Sequence, residues 1–264
     1  AGAWADEAAG VSVFRGIAFA TPPVGALRWR PPAAVEPWDG AKLATEFGPA
    51  CWQARNEEAS PYSRGDLARS EDCLTLNVWS PASVGQQLPV MVWFHGGGHS
   101  SGVGSATIFD GTAMAKKGVL MVTANYRLGP LGFLAHPALT AESEHGSSGN
   151  YGILDHVATL TWVRDNIAAF GGDPDNITIF GQSAGSWSIC ALQASPLARG
   201  LFHRAIGHSG GCFGAPRSHL SAAGGVATAT SGHEVGLAIA AELGVAGEGP
   251  DATAALRAAT PEAA

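Results

Sequence analysis

Two nearly continuous apolar segments, residues 88–95 and 118–127, constrain the fold of this chain most strongly. Such segments are typical of strands that are covered on both faces, as in a parallel sheet flanked by helices. Apolar runs or alternating patterns predict further strands at residues 11–19, 73–79, 177–180 and 204–209. Residues 152–170 carry apolar side chains at helical spacing before a Gly-Gly turn. Strands that alternate with helices predict an α/β fold with a mainly parallel sheet.

The composition limits the classes of partner. The chain has 264 residues and a formal net charge of −7, from 22 acidic and 15 basic residues. No basic run is present, which argues against nucleic acid and anionic membrane surfaces as partners. The longest apolar stretches, such as residues 90–94, are too short to span a bilayer. We expect residues 1–264 to belong to a single domain, with short helices at 235–243 and 252–259.

Residues 177–185 read ITIFGQSAG, and Ser183 lies between a predicted strand and residues that can form a helix. This strand–turn–helix context is the setting of a nucleophile elbow, which presents a serine to a substrate carbonyl. The same Gly-x-Ser-x-Gly spacing occurs at 98–102 and 207–211. Turn residues follow the former and CFGAPRS follows the latter, so neither predicts a helix. Ser183 is therefore the candidate nucleophile, and the alternative is an inert serine in a glycine-rich turn.

The residues around Ser183 suit this chemistry. Gly181 and Gly185 lack a Cβ, which relieves crowding in so sharp a turn. Ala184 would begin the helix, and its N–H would have no partner within the helix. That N–H is therefore free to bind a developing oxyanion, with help from the helix dipole.

A second glycine motif, His95-Gly96-Gly97-Gly98, directly follows the predicted strand at 88–95. A loop of this kind lets backbone N–H groups approach a ligand and is the expected partner of a nucleophile elbow. The alternative is an ordinary glycine turn. His95 and His99 have a spacing that serves a metal only on a helix, which three glycines disfavour. We therefore expect no metal, and the proposed chemistry requires no other cofactor.

A general base is missing from this pattern. In proteins that use such an elbow, the order along the chain is Ser, then an acid, then His. Glu234 is the first acidic residue after Ser183, and only His233 lies close to it, in the wrong order. The other histidines beyond the candidate nucleophile precede any acid: His203, His208 and His219. No Ser-acid-His triad is predicted within residues 1–264.

The four cysteines leave the redox compartment open. Cys51 and Cys73 bracket a polar loop and could be bridged, which would stabilise the fold by about 3 kcal/mol. Cys190 falls in the helix predicted after Ser183 and is expected to be a small buried apolar residue. Cys212 has no obvious partner. A disulfide would favour an exported protein, whereas free thiols would suit a cytosol.

Six segments in matching order and spacing resemble the type-B carboxylesterase family, which includes the cholinesterases and the bacterial para-nitrobenzyl esterases. They are FRGIAFATPPVGALRWRPP (14–32), SEDCLTLNVWSP (70–81), PVMVWFHGGG (89–98), NYRLGPLGFL (125–134), GNYGILDHVATLTWVRDNIAAFGGDPDNITIFGQSAG (149–185) and SPLARGLFHRAIGHSG (195–210). The resemblance implies an α/β-hydrolase fold and a carboxylic ester hydrolase that acts on small-molecule esters.

Site residues follow from the resemblance position by position. Ser183 corresponds to the nucleophile. Gly97, Gly98 and Ala184 correspond to the donors of the oxyanion hole. Cys51 and Cys73 correspond to the first disulfide of many members, so a secreted or periplasmic location is expected over a cytoplasmic one.

The chain also departs from the family pattern. Gln182 replaces the glutamate that usually precedes the nucleophile, and the only aromatics inside the first disulfide loop are Trp52 and Tyr62. Loss of a carboxylate and of a well-placed aromatic face weakens recognition of a quaternary ammonium. We therefore expect neutral esters and not choline esters as substrates. His99 stands where the family usually has an aromatic residue and is expected to alter the entrance to the site.

The resemblance covers residues 14–212 almost continuously, and the family's catalytic Glu and His would lie beyond position 264. We therefore expect the N-terminal half of such an enzyme, with a sheet that lacks the C-terminal strands. Two alternatives remain open at this point: an esterase-like binding or adhesion protein without catalysis, and a lipase, although no lid or amphipathic membrane-facing helix is visible. The sequence does not indicate an oligomeric state.

Overall fold

The computed structural model describes residues 1–54, 61–62, 65, 67–81, 85–213, 219–221 and 230–262. Strands in these ranges are Ala3–Asp6 (β1), Val11–Ala18 (β2), Ala50–Cys51 (β3), Arg69–Ser70 (β4), Thr75–Ser80 (β5), Leu88–Phe94 (β6), Leu120–Ala124 (β7), Gly172–Gln182 (β8) and Arg204–His208 (β9). The α-helices are Thr112–Ala115 (α1), Gly129–Phe133 (α2), Pro137–Glu142 (α3), Tyr151–Asn166 (α4), Ala184–Ala194 (α5), Gly232–Glu242 (α6) and Pro250–Ala258 (α7).

Seven of the strands form one sheet in the order β1-β2-β5-β7-β6-β8-β9, while β3 and β4 pair separately. The four strands β7, β6, β8 and β9 are parallel, and antiparallel pairing adds β5, β2 and β1 at one side. This confirms the predicted α/β class with a mostly parallel sheet. Strands β6 and β7 are nearly uniformly apolar and every residue of β7 is buried, as predicted for strands that are covered on both faces.

The order of the strands reverses at β6. From β6 the chain moves through α1 to β7 on one side, and it then returns through α2, α3 and α4 to β8 on the other side. Phe94 at the end of β6 pairs with Gly181 at the end of β8. The loops that follow these two strands therefore leave the sheet in opposite directions and open a crevice, the position where open α/β sheets bind ligands.

The helices α4 and α5 pack on the parallel strands through one large core. Leu160 and Val163 of α4 and Ile189 of α5 join the strand residues Val92 and Ile179 in this core, and all five are buried. Burial of each such side chain stabilises the fold by about 1.5–3 kcal/mol. This packing holds the start of α5 against the carboxyl ends of the strands.

Several boundaries differ from the sequence prediction. The helix predicted over 152–170 is α4 followed by a 3₁₀ turn over 167–170, and Gly171 ends it with φ 90° in the left-handed region. The strand predicted over 118–127 is shorter than expected and consists of β7 alone. It ends early because Arg127 turns away to contact Asp155 of α4. The two side chains are buried and form an ion pair of 2.7 Å, and Asp155 also accepts the backbone N–H of Arg127. Helices α6 and α7 lie where short helices were predicted.

Two disulfides are present. One joins Cys51 to Cys73, the pair implied by the resemblance, with Cα atoms 5.0 Å apart. The other joins Cys190 to Cys212 with Cα atoms 5.1 Å apart. The expectation that Cys190 is an unpaired buried residue and that Cys212 lacks a partner is therefore wrong. Because β9 lies beside β8, the segment after β9 passes along α5 and brings the two cysteines together. No described helix combines the length and apolarity that a membrane crossing requires.

Candidate active site

Ser183 occupies the single position between β8 and α5. Its backbone has φ 53° and ψ −119°, a strained conformation for a residue with a side chain. Its N–H donates a hydrogen bond of 2.9 Å to the carbonyl of His208, and its carbonyl accepts one of 3.1 Å from Trp187. The end of the adjacent strand and the first turn of α5 thus hold the strained residue from both sides.

Glycines allow this turn to press against the neighbouring strand. A Cβ on Gly185 would lie 2.1 Å from the carbonyl oxygen of Phe94, and one on Gly181 would lie 2.7 Å from the same atom. Both distances are shorter than any ordinary carbon–oxygen contact, so a larger residue would force backbone atoms apart. The two glycines around Ser183 are therefore required by close backbone approach, as their lack of a Cβ predicts.

The glycine loop after β6 lies directly beside Ser183. A Cβ on Gly96 would be only 3.2 Å from the Cβ of Ser183. Gly97 and Gly98 have φ values of 104° and 64°, so the loop is not helical. Within the described ranges, no acceptor is found for the N–H groups of Gly97 and Gly98. With the N–H at the start of α5, these groups form a candidate oxyanion hole.

Buried rings lie beneath the loop and the serine. His95 stacks on Tyr126 with ring centroids 4.4 Å apart, and the Tyr126 hydroxyl donates to the His95 carbonyl at 3.0 Å. His156 of α4 lies against both Phe94 and Tyr126, at 4.2 and 4.3 Å. Burial lowers the pKa of His95 to about 4 and holds the pKa of His156 well below its usual value. Both rings are therefore neutral at pH 7, so they place no charge beneath Ser183 and the glycine loop.

The segment after β9 supports the turn at Ser183 from the other side. Gln182 and His208 are register partners in β8 and β9. The carbonyl of Gly210 accepts a hydrogen bond of 2.6 Å from the Ser186 hydroxyl. The side-chain oxygen of Gln182 lies beside Gly96, so a neutral amide adjoins the glycine loop where a carboxylate was a family expectation.

His99 contacts the first turn of the helix that follows Ser183. Its Nε2 lies 3.0 Å from the carbonyl oxygen of Ala184 and 2.9 Å from the hydroxyl of Ser188. The ring therefore reaches from the glycine loop to α5. No pattern in a single sequence indicates this contact, because 85 positions separate His99 from Ala184.

The rings of two of the four downstream histidines make hydrogen bonds away from Ser183. His203 accepts the backbone N–H of Ile177 at 3.1 Å through Nδ1, and His233 is hydrogen-bonded to Thr140 at 2.8 Å through Nε2. The carbonyl oxygens of the other two, His208 and His219, accept backbone N–H groups. In the ranges that the structure describes, no group of three or more potential metal ligands is found.

A serine held between a strand and a helix, beside a glycine loop at the carboxyl edge of a mostly parallel sheet, defines the α/β-hydrolase class. A sequence profile of the carboxylesterase family matches residues 3–232. The chain therefore belongs to the carboxylesterase family.

Relatives agree with this assignment. The fumonisin B1 esterase of Sphingopyxis macrogoltabida is 52% identical over 202 residues, which are 76% of this chain and 37% of that protein. The para-nitrobenzyl esterase of Bacillus subtilis (strain 168) is 49% identical over 203 residues, 76% of this chain and 40% of that protein. The matched part of the chain thus spans less than half the length of these relatives.

Solved structures show the same fold. A thermophilic para-nitrobenzyl esterase matches with a TM-score of 0.81 at 39% identity, over 98% of this chain and 49% of that chain. The Geobacillus stearothermophilus carboxylesterase Est55 at pH 6.2 matches with a TM-score of 0.70 at 47% identity, over 78% of this chain and 40% of that chain. The α/β-hydrolase fold implied by the resemblance is confirmed.

Proposed function

We propose that this chain is the nucleophile-bearing part of a serine carboxylesterase. The observation that carries the proposal is the strained Ser183 turn, packed within van der Waals distance of the glycine loop. Backbone strain persists only where the surrounding structure enforces it, and it clusters at functional sites. The carboxylesterase family membership supports ester hydrolysis as the function that this turn serves.

The mechanism that fits these residues is acyl transfer. The Ser183 oxygen attacks the ester carbonyl while a histidine base takes its proton. The N–H groups of Gly97, Gly98 and Ala184 hold the negative oxygen of the tetrahedral intermediate, and loss of one such donor typically costs about 3 kcal/mol of transition-state stabilisation. The alcohol leaves with a proton from that histidine, and water then releases the acid. We propose that the histidine and its acidic partner come from outside residues 1–264.

Neutral esters are the substrates that the site chemistry favours. Gln182 carries no charge beside the glycine loop. Trp52 already faces a cation of the protein itself, because the Arg69 guanidinium lies 5.0 Å from the centre of its ring. An aromatic face occupied in this way contributes little to a substrate ammonium group. We therefore expect small neutral esters, such as the para-nitrobenzyl esters in a relative's name, to be preferred over choline esters.

The cysteines favour an oxidising compartment. Two disulfides tie the described chain, and such bonds persist mainly in exported proteins. We propose a secreted or periplasmic protein. Small-molecule esters are its expected partners.

The test is labelling together with turnover by the full gene product. A fluorophosphonate should modify Ser183, located by peptide mass spectrometry, and p-nitrophenyl butyrate should be hydrolysed faster than butyrylthiocholine. Residues 1–264 alone should show little turnover, because removal of the base removes most of the rate.

Two results would contradict the proposal. A full product that neither labels at Ser183 nor hydrolyses neutral esters would favour an esterase-like binding protein. Fast Ser183-dependent turnover by residues 1–264 alone would show that this segment contains its own base. The Ser183→Ala variant is the matched control in both assays, since it removes one oxygen and leaves the fold unchanged.

A further inference from the structure

The side chain of His99 connects the glycine loop to the helix that follows Ser183. Its Nε2 is 3.0 Å from the Ala184 carbonyl oxygen and 2.9 Å from the Ser188 hydroxyl oxygen. A carbonyl oxygen can only accept, so the hydrogen bond to Ala184 requires the tautomer that carries its proton on Nε2. His99 therefore donates to the first turn of α5. A phenylalanine or another hydrocarbon ring at this position could not do so.

Other contacts fix the rest of His99. Its carbonyl accepts a hydrogen bond of 2.7 Å from the Gly129 N–H at the start of α2. Its ring stacks on Phe133 with centroids 4.8 Å apart and planes inclined by 23°. Its φ is 61°, a left-handed value that residues with side chains rarely adopt. Several interactions thus hold a residue in a conformation that it would otherwise avoid.

This placement matters because the candidate oxyanion hole has two halves. Gly97 and Gly98 belong to the loop, and Ala184 belongs to the helix. His99 follows Gly98 directly in sequence, and its ring binds the carbonyl of Ala184 itself. An oxyanion donor must lie within a few tenths of an ångström of its best position to be effective. A direct hydrogen bond between the halves is a means to keep them at a fixed separation.

We propose that His99 is a positioning residue, which holds the two halves of the oxyanion hole in register by donating from Nε2 to α5. The inference rests on the proposed function, because it assigns the purpose of this contact to ester hydrolysis. Without the Nε2 donor, the loop and the start of α5 should lose their side-chain link and become more mobile relative to each other, which can be measured without any activity.

Two variants separate the hydrogen bond from the ring. His99→Phe keeps an aromatic ring against Phe133 and removes the donor. His99→Gln removes the ring and can place an amide N–H near the former Nε2. In the full gene product, His99→Phe should lower kcat for p-nitrophenyl butyrate roughly ten- to hundred-fold with little change in KM, since a displaced catalytic group acts mainly on the transition state. His99→Gln should recover most of that loss.

Binding of a transition-state analogue gives a second measure. A trifluoromethyl ketone forms a tetrahedral adduct with a serine, and its oxyanion needs the same donors. His99→Phe should weaken its inhibition by about the factor lost in kcat, and Ser188→Ala in the His99→Phe background should add less than it does alone, because both changes remove one interaction. A kcat equal to wild type in His99→Phe, or a loss confined to KM, would overturn the proposal.

Amide hydrogen exchange tests the structural claim separately. Exchange at residues 96–99 and 184–188 should become faster in His99→Phe than in His99→Gln, while exchange in β6 and β8 stays unchanged. Unchanged exchange at both segments in His99→Phe would overturn the positioning role whatever the activity. Faster exchange in a protein without Ser183-dependent turnover would instead contradict the proposed function and leave His99 as the link between loop and helix.

Discussion

Two serines at the ends of neighbouring strands differ in what surrounds them. Ser183 follows β8 and Ser209 follows β9, and both have a Gly-x-Ser-x-Gly spacing. Both also have strained backbones, with φ values of 53° and 52°. Since Gln182 pairs with His208, the two serines leave the sheet side by side. Neither the motif nor the backbone strain distinguishes them.

The difference lies in the segment after each serine. After Ser183 the chain enters α5, whose first N–H is unpaired within the helix, and Gly96 of the glycine loop lies beside this turn. After Ser209 the chain continues into Gly210, whose carbonyl accepts the Ser186 hydroxyl. The turn at Ser209 therefore supports the turn at Ser183. A strained serine becomes a candidate nucleophile only where a helix start and a donor loop meet it.

Exchange of each serine for alanine is the strongest test of this comparison. Ser183→Ala should lower kcat for p-nitrophenyl butyrate by about 10⁴-fold or more, because no nucleophile remains. Ser209→Ala should stay within about tenfold of the parent, because a supporting turn contributes through geometry alone. Steady-state kinetics on the full gene product measures both. Equal losses in the two variants would mean that the second serine takes part in the chemistry.

Acidification should lower the free energy of unfolding through the two buried histidines near Ser183. Burial lowers the pKa of His95 to about 4, and the same cause lowers that of His156. Below about pH 6.5 the unfolded chain binds a proton at His95 that the native state does not bind. The contribution of His95 to the free energy of unfolding is therefore intact above that pH and is lost as the pH falls to about 4. The loss from His95 alone is about 3 kcal/mol. Urea midpoints between pH 7 and pH 4 measure it.

A neutral replacement identifies the source of that pH dependence. His156→Gln should flatten the fall in stability, because glutamine does not titrate. Ser209→Ala, which changes no titratable group, should leave the slope as it is. If the Ser209 variant flattened the slope and the His156 variant did not, the pH dependence would arise at the turn around Ser209 and the comparison would be reversed.

The sequence predicted those parts of the molecule whose geometry is local. The apolar runs of β6 and β7 must be covered on both faces, which is typical of the central strands of a parallel sheet. Gly181 and Gly185 predicted a sharp turn because close backbone approach excludes any other residue. The sharp turn at Ser183 and the non-helical glycine loop were therefore predictable from residue type and order.

Contacts between distant segments were not predictable in this way. The Cys190–Cys212 bond depends on the position of β9 beside β8, which no spacing in the chain encodes. The direction of the His99 ring depends on where α5 packs. The short strands β1, β3 and β4 were missed because a few residues carry no clear period. Pairing with distant partners makes them strands.

The two disulfides differ in whether they connect the turns at Ser183 and Ser209. Each closes a loop with a sequence separation of 22, so the loop-entropy model assigns both about 3 kcal/mol. Only the bond between Cys190 and Cys212 joins α5 to the segment after Ser209. Loss of both cysteines of either pair should lower the free energy of unfolding by a similar amount, measured with urea. Only the Cys190→Ala/Cys212→Ala variant should also lower kcat under conditions where it is folded. If Cys51→Ala/Cys73→Ala lowered kcat equally, attachment of α5 would not be the cause.

Single methyl groups give the smallest effect and the most local comparison. A Cβ on Gly185 would lie 2.1 Å from the carbonyl of Phe94, whereas one on Gly211 would have its nearest neighbour at 3.6 Å. Alanine favours a helix over glycine by about 1 kcal/mol, so Gly185→Ala would stabilise α5 if the turn had room. The backbone of β6 is fixed within the sheet, so the steric clash should outweigh the gain in helix propensity. Gly185→Ala should therefore lower the free energy of unfolding by about 2 kcal/mol. Gly211→Ala should change the free energy of unfolding by less than about 0.5 kcal/mol. If Gly185→Ala left the free energy of unfolding unchanged in thermal and urea experiments, the turn at Ser183 would be as loosely packed as the turn at Ser209. Close approach to β6 would then not be what distinguishes Ser183.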